Sequence, residues 1–175
     1  MIWLSRILTF FVGFAALWFV VFLVVTTYGW EKVWISIHGN PDLGPIEFQG
    51  FAKTGKPNQA LICPEDLCSS QGRNDVSPVY NLPPEGLRQE FEKSLAKETS
   101  LTRVDDGSNP AKMRFVQRSR LLRFPDTVRV EFLPVEDGTK STLALHSQSQ
   151  VGHNDFRVNI KRLRRWLGRL KQFEQ

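Results

Sequence analysis

Hydrophobic and polar positions fall into two regimes along the chain. From Ile7 to Thr27 no charge interrupts the run, fourteen residues are Ile, Leu, Val or Phe, and no face is polar. As a helix this stretch is about 31 Å long, against a bilayer hydrocarbon core of about 30 Å. Its large apolar side chains favour insertion by at most about 4–8 kcal/mol. Trp3 at one end, and Tyr28, Trp30 and Trp34 at the other, make the aromatic belt expected at the two headgroup zones. The run is longer than the apolar region of a secretory leader, and Thr26-Thr27-Tyr28-Gly29-Trp30 is a poor cleavage site. The pattern therefore predicts a short cytoplasmic N-terminus over 1–6 and an uncleaved transmembrane helix over 7–27.

Gly, Pro, Asn and Asp are frequent from Ser36 to Pro84, so that segment reads as an irregular stretch with little regular structure, and residues 28–60 are set apart as a juxtamembrane linker. Residues 61–175 read as a globular domain. A helix is expected near 84–98, opened by Pro83-Pro84, with Leu87, Phe91 and Leu95 on one stripe. A short strand follows at Leu101 to Val104. The next, Met113 to Leu122, puts Met113, Phe115 and Leu121 on one face and Arg114, Arg118 and Arg120 on the other. Thr127 to Leu133 alternates, and Asp137-Gly138 turns it into a strand from Thr139 to Ser149. Leu143, Leu145, Ser147 and Ser149 share the core face of that strand, and His146 is expected on the exposed side. The last element is an amphipathic helix over 156–173. Its apolar arc holds Phe156, Ile160, Leu163, Trp166, Leu167, Leu170 and Phe173, while Arg157, Lys161, Arg162, Arg164, Arg165, Arg169 and Lys171 fall outside. The fold class is α+β: one transmembrane helix, then antiparallel strands covered by two helices.

Composition narrows the picture. With 175 residues, 41% hydrophobic, 23% charged and two cysteines, the chain supports one modest domain. It is neither a disordered tail nor a disulfide-dense miniprotein. The net charge of +5 is uneven: 15 basic and 8 acidic residues from Arg103 to Gln175 give +7, and the preceding part carries −2. A basic helix alone is weak evidence for nucleic-acid binding, no recognised nucleic-acid motif is present, and no such partner is expected.

Candidate chemistry is sparse. Cys63 and Cys68 lack the second pair that a zinc site needs. A disulfide closing a six-residue loop fits them, worth about 2 kcal/mol in the chain-entropy model; two free thiols in a cytosolic loop are the alternative. A disulfide favours an oxidising compartment, whereas Arg6 against Lys32 barely decides orientation. Asn159 projects into the apolar arc, so it needs partners, and Ser147, Ser149 and the Gln150–Asn154 loop are the nearest candidates. Asp155 is placed as the N-cap. His153 with Asp155, and Ser147 or Ser149 as nucleophile, is a possible hydrolytic set, but no G-x-S-x-G elbow accompanies it. No catalytic residue, metal or cofactor is assigned.

The stretch from Ser147 to Arg162 resembles the S-x-S-R-x-G-x-x-D-x-G-x-N-x-x-R signature of the family known as domain of unknown function fourteen-ninety-nine, found in bacteria and plastids. Ser147, Ser149, Gly152, Asp155, Asn159 and Arg162 stand at its fixed positions. The cysteine loop resembles the family's C-P-x-x-x-x-C-x-S-S element, and Phe124-Pro125-Asp126 with Val128 resembles its F-P-D-x-V element. Gln150 replaces the signature arginine, and Arg157 the glycine after the aspartate. The resemblance implies a fold and, since members often carry an N-terminal membrane segment, a placement; it implies no activity.

Three functions follow in order of weight. The first is a non-enzymatic domain tethered to a bacterial inner membrane through residues 7–27, on the periplasmic side of the envelope, binding a partner protein or supporting a membrane complex. The second is an anionic-lipid or anionic-ligand binder using the basic surface of Arg157, Lys161, Arg164, Arg165, Arg169 and Lys171. A hydrolase-like enzyme comes last.

Overall fold

The computed structural model describes residues 2–175, apart from the side chains of Ile2, Leu4 and Tyr28. Met1, with its α-amino group, and the Tyr28 ring of the expected aromatic belt lie outside the described residues. The chain divides into two compact units, Met1–Gly39 and Asn40–Gln175.

The first unit is a single helical element, α1 (Ile2–His38), interrupted at Gly29 with φ 74° and ψ 150°. That backbone excludes most side chains, which is why the break falls on glycine. Ser5–Thr27 is long and apolar enough to cross a membrane by length and composition, and its most apolar stretch is not buried within the protein. Helix resumes after Gly29 where an irregular linker was expected. Its four-residue spacing stacks Trp30 on Trp34, ring centres 5.8 Å apart, and brings Trp34 to 5.8 Å from His38.

The second unit is α+β. Six strands, β1 (Gln59–Cys63), β2 (Asp75–Val76), β3 (Leu101–Arg103), β4 (Lys112–Arg118), β5 (Pro125–Val135) and β6 (Lys140–Ser149), form one sheet in the order β2-β1-β6-β5-β4-β3. The sheet is mixed, because β1 and β2 pair parallel while every other neighbour is antiparallel. Helices α2 (Pro84–Leu95) and α3 (Val158–Gly168) supply apolar side chains to one face. Leu87, Phe91 and Leu95 of α2 are buried there as the spacing predicted. Phe91 meets Phe132 and Trp166 edge to face, with centroids 5.6 and 5.8 Å apart.

The other face is covered as well, by the segment 40–51. Phe48 is buried against Leu61, Cys63, Cys68 and Ala144, and Ile46 and Phe51 pack beside them. Backbone and side-chain bonds fix this strap. Thr127 donates to the Pro41 carbonyl and accepts from the Leu43 amide, Arg129 donates to the Gly44 carbonyl, and Gln150 donates to the Asn40 carbonyl. The Cys63–Cys68 disulfide, with Cα atoms 6.1 Å apart, sits in this second core.

Double coverage corrects several expectations. β1 lies in the stretch read as irregular; all five of its residues are buried, so it shows an apolar run and no alternation. His146 is 1% exposed, since the face it points to lies under the strap and Phe51, 5.0 Å away ring to ring. Leu121 is 82% exposed because β4 stops at Arg118 and residues 119–124 close a turn, with the Ser119 amide donating to the Phe124 carbonyl at 2.9 Å. The last helix starts two residues late, at Val158, because Phe156 and Arg157 have φ 52° and 65°; Phe156 is thereby 82% exposed rather than in the apolar arc. It also ends early, with a 3-10 turn over Lys171–Phe173.

Candidate functional site

One end of the sheet gathers the residues that the sequence singled out. β5 begins with Pro125 and Asp126, β6 ends with Ser147 and Ser149, and the loop from Gln150 to Arg157 leads into α3, which brings Asn159 and Arg162. The register pairs Asp126 with Ser149 and Val128 with Ser147, so the two serines and the aspartate stand on adjacent strands.

Asn159 is wholly buried and fully engaged. Its Nδ2 donates to the Asn58 carbonyl at 3.1 Å and to Ser149 Oγ at 3.0 Å. Its Oδ1 accepts from Ser147 Oγ and from Arg162 Nη1, the latter at 2.7 Å. These serine partners are the ones the sequence indicated. Asn58 was missed: it donates to the Ser149 and Gly152 carbonyls, at 3.2 and 3.0 Å, tying β1 to the loop. The clue available in the sequence was the Pro57-Asn58 pair directly before the apolar run from Ala60.

Arg162 departs from the helical-wheel reading that put it among the solvent-facing basic residues. It is 5% exposed and spans the site, donating to Ser147 Oγ at 2.8 Å and pairing through Nη2 with Asp126. A buried guanidinium is tolerated here because a carboxylate and two polar acceptors surround it. Asp155 is not the N-cap that the sequence suggested, since Arg157 holds that position, but from three residues before α3 it still serves the helix start. Its two oxygens accept from the Arg157 and Asn159 amides at 2.9 and 2.8 Å.

Above this network lies a cleft of about 300 Å³. Its walls include Phe124, Val151, Phe156 and Val158, while Asp126, Ser149, Gly152, Asp155 and Arg162 contribute the polar part. Gly152 turns the loop with φ 90°. The cysteine pair is elsewhere, in the core beneath the strap.

The family described as "Protein of unknown function (DUF1499)" matches residues 57–170. The chain belongs to the DUF1499 family. No curated protein matches it. The DUF1499 match spans β1 through α3 and leaves out α1 and the strap, although the strap completes the second core. At the two positions where the chain departs from the signature it resembles, Gln150 holds the Asn40 carbonyl at 2.7 Å, and Arg157 occupies a left-handed backbone position of the kind glycine adopts without strain.

The basic surface is partly neutralised. Arg164 forks onto Asp75 at 2.7 and 3.0 Å, and Arg165 and Arg169 both reach Glu98, at 2.8 and 2.7 Å. Burial pushes the Glu98 carboxyl up, but the two arginines outweigh it and hold it below its ordinary range. Arg157, Lys161 and Lys171 are exposed.

Proposed function

We propose that this chain is a membrane-anchored, non-catalytic binding domain whose partner inserts an apolar group into the cleft between the β6–α3 loop and the 119–124 turn. One observation carries the reading: Asp126, Ser147, Ser149, Asn159 and Arg162, which carry the resemblance to the family signature, converge in one buried network beneath a mostly apolar cleft. The Ser147 hydroxyl is buried and already engaged with Asn159 and Arg162, and Asp155 is occupied by helix-start amides, an arrangement that favours a scaffold over a nucleophile and its base. The apolar length of Ser5–Thr27 supports an inner-membrane anchor, and the disulfide supports a periplasmic domain. A partner held by the basic helix alone is less favoured, because Arg164, Arg165 and Arg169 already face acids.

Photo-crosslinking tests the site. Full-length protein carrying a benzophenone amino acid at Phe156 is expected to form a discrete adduct in native membranes, while the same group at exposed Lys93 on α2 forms none. Identical patterns from both positions would refute the cleft as the binding site.

A further inference from the structure

A second hollow adjoins the cleft, also of about 300 Å³, and the two share Val158 and Arg162 as a common wall. Their chemistry is opposite. The cleft is walled by aromatic and aliphatic side chains, whereas the hollow is lined by Arg118, Arg120, Arg162 and Arg165 with Glu98, Thr99 and Gln117. Glu98 is the single carboxylate among those lining residues, and it is shared between Arg165 and Arg169. Arg162 also faces Asp126 and Arg165 faces Glu98, but four guanidinium groups against these two carboxylates leave the hollow net positive, and guanidinium groups bind phosphate oxygens in a fork geometry. Gln117, 7% exposed, donates through Nε2 to the Thr99 carbonyl at 2.8 Å, yet its buried Oε1 accepts no hydrogen bond. A buried acceptor of this kind calls for a hydroxyl or N–H donor. Val158 is half exposed and stands as a ridge between the two hollows, flanked by the exposed ring of Phe156.

We propose that cleft and hollow together bind one anionic phospholipid, an acyl chain entering the apolar cleft and the phosphate, with its hydroxyl-bearing head, resting among Arg118, Arg120 and Arg165 over Gln117. The proposal rests on the reading of the cleft as a ligand site and names the ligand's class. Charge complementarity selects this occupant: an apolar peptide segment satisfies the cleft, and its N–H groups can serve Gln117, but it leaves the arginine basin without an anion.

The test uses purified full-length protein in vesicles containing phosphatidylglycerol with a diazirine in one acyl chain, against the matching phosphatidylcholine. Crosslinked peptides are then mapped. Labelling of α1 by both lipids serves as the internal standard. The expected result is labelling within residues 119–124 and 151–158 by phosphatidylglycerol and much less by phosphatidylcholine. Arg120→Glu, at an exposed position, should cut that labelling by roughly tenfold, the loss of one charge-assisted contact, with an unchanged melting temperature. Val158→Glu should abolish it. Labelling confined to α1, equal labelling of the cleft by both lipids, or indifference to Arg120→Glu would each overturn the proposal. If lipid labelling is absent while the Phe156 benzophenone still captures a protein, the cleft remains a binding site and the lipid assignment fails; if neither probe reacts there, both readings fail.

Discussion

Arg157 holds a left-handed backbone (φ 65°) at the entrance to α3. For an L-residue that conformation costs about 1–2 kcal/mol, part of which glycine recovers. Arg157→Gly is therefore expected to raise stability, by about 0.5–1 kcal/mol in urea unfolding; a lower midpoint would show that the side chain contributes something the backbone cost hides. Asn159→Leu should act in the opposite direction. It strips acceptors from Ser147 and Arg162 and donors from Ser149 and the Asn58 carbonyl, and the unpaired buried groups cost about 3 kcal/mol; an unchanged melting temperature would refute the network's role. His146 titrates with a definite sign. Arg129 Nη1 lies 3.0 Å from Nδ1 and must be the donor there, so the ring proton sits on Nε2, facing Gln59 Oε1 at 3.1 Å. Burial first, then the charges of Arg129 and Lys53, pulls this imidazole down to about 3. Burial also lowers Arg129, to about 10, which leaves it charged at neutral pH. Below about pH 6.5 the unfolded chain takes up a proton that the folded chain refuses, so stability falls as pH drops. Between pH 6.5 and 5 this fall should show in denaturation midpoints and flatten in His146→Gln; an equal slope in the variant would assign it elsewhere.

At the scale of elements, legibility followed periodicity. α2 with its Leu87, Phe91 and Leu95 stripe, β5, β6 and the apolar face of α3 were all readable, because each buries one regular set of side chains against the helical core. β1 was not: β5 and β6 are also covered on both faces, but they keep polar residues such as Arg129 and His146 towards the strap, whereas β1 places Leu61 and Cys63 there and shows no alternation. The same blindness misplaced His146. The site residues were legible as a motif, yet their joining through Asn58 and the inward turn of Arg162 depend on strand register and on the left-handed start of α3, which spacing alone does not encode. The strap yields an element-scale prediction. A fragment beginning at residue 40 should unfold cooperatively, whereas one beginning at 57, the start of the family match, uncovers Phe48's partners Leu61 and Ala144. That shorter fragment should bind a hydrophobic dye strongly or fail to stay soluble; equal melting of the two would show that the strap adds nothing.

For the whole molecule, charge and compartment are the open quantities. The excess of basic residues in the second half was visible in the sequence, but its distribution was not: much of it is paired with acids from the first half, Arg164 with Asp75 and Arg165 with Glu98. Compartment is accessible to a direct measurement. If the domain is periplasmic, a maleimide that cannot cross the inner membrane should leave Cys63 and Cys68 unmodified in unreduced cells with a permeabilised outer membrane, and label them there after reduction and mild unfolding. Labelling only after lysis would place the domain in the cytoplasm, and labelling without reductant before lysis would refute the disulfide.

The strap has a mechanical corollary. Gly39 closes the helical unit, and the next residues, Asn40 and Pro41, are already clamped by Gln150 and Thr127. Any tension arriving along the polypeptide from its amino-terminal side loads those two carbonyls first and peels the strap from its end, one hydrogen bond at a time. The sheet's back face is thus guarded by a zipper whose slider is the stretch of chain nearest α1.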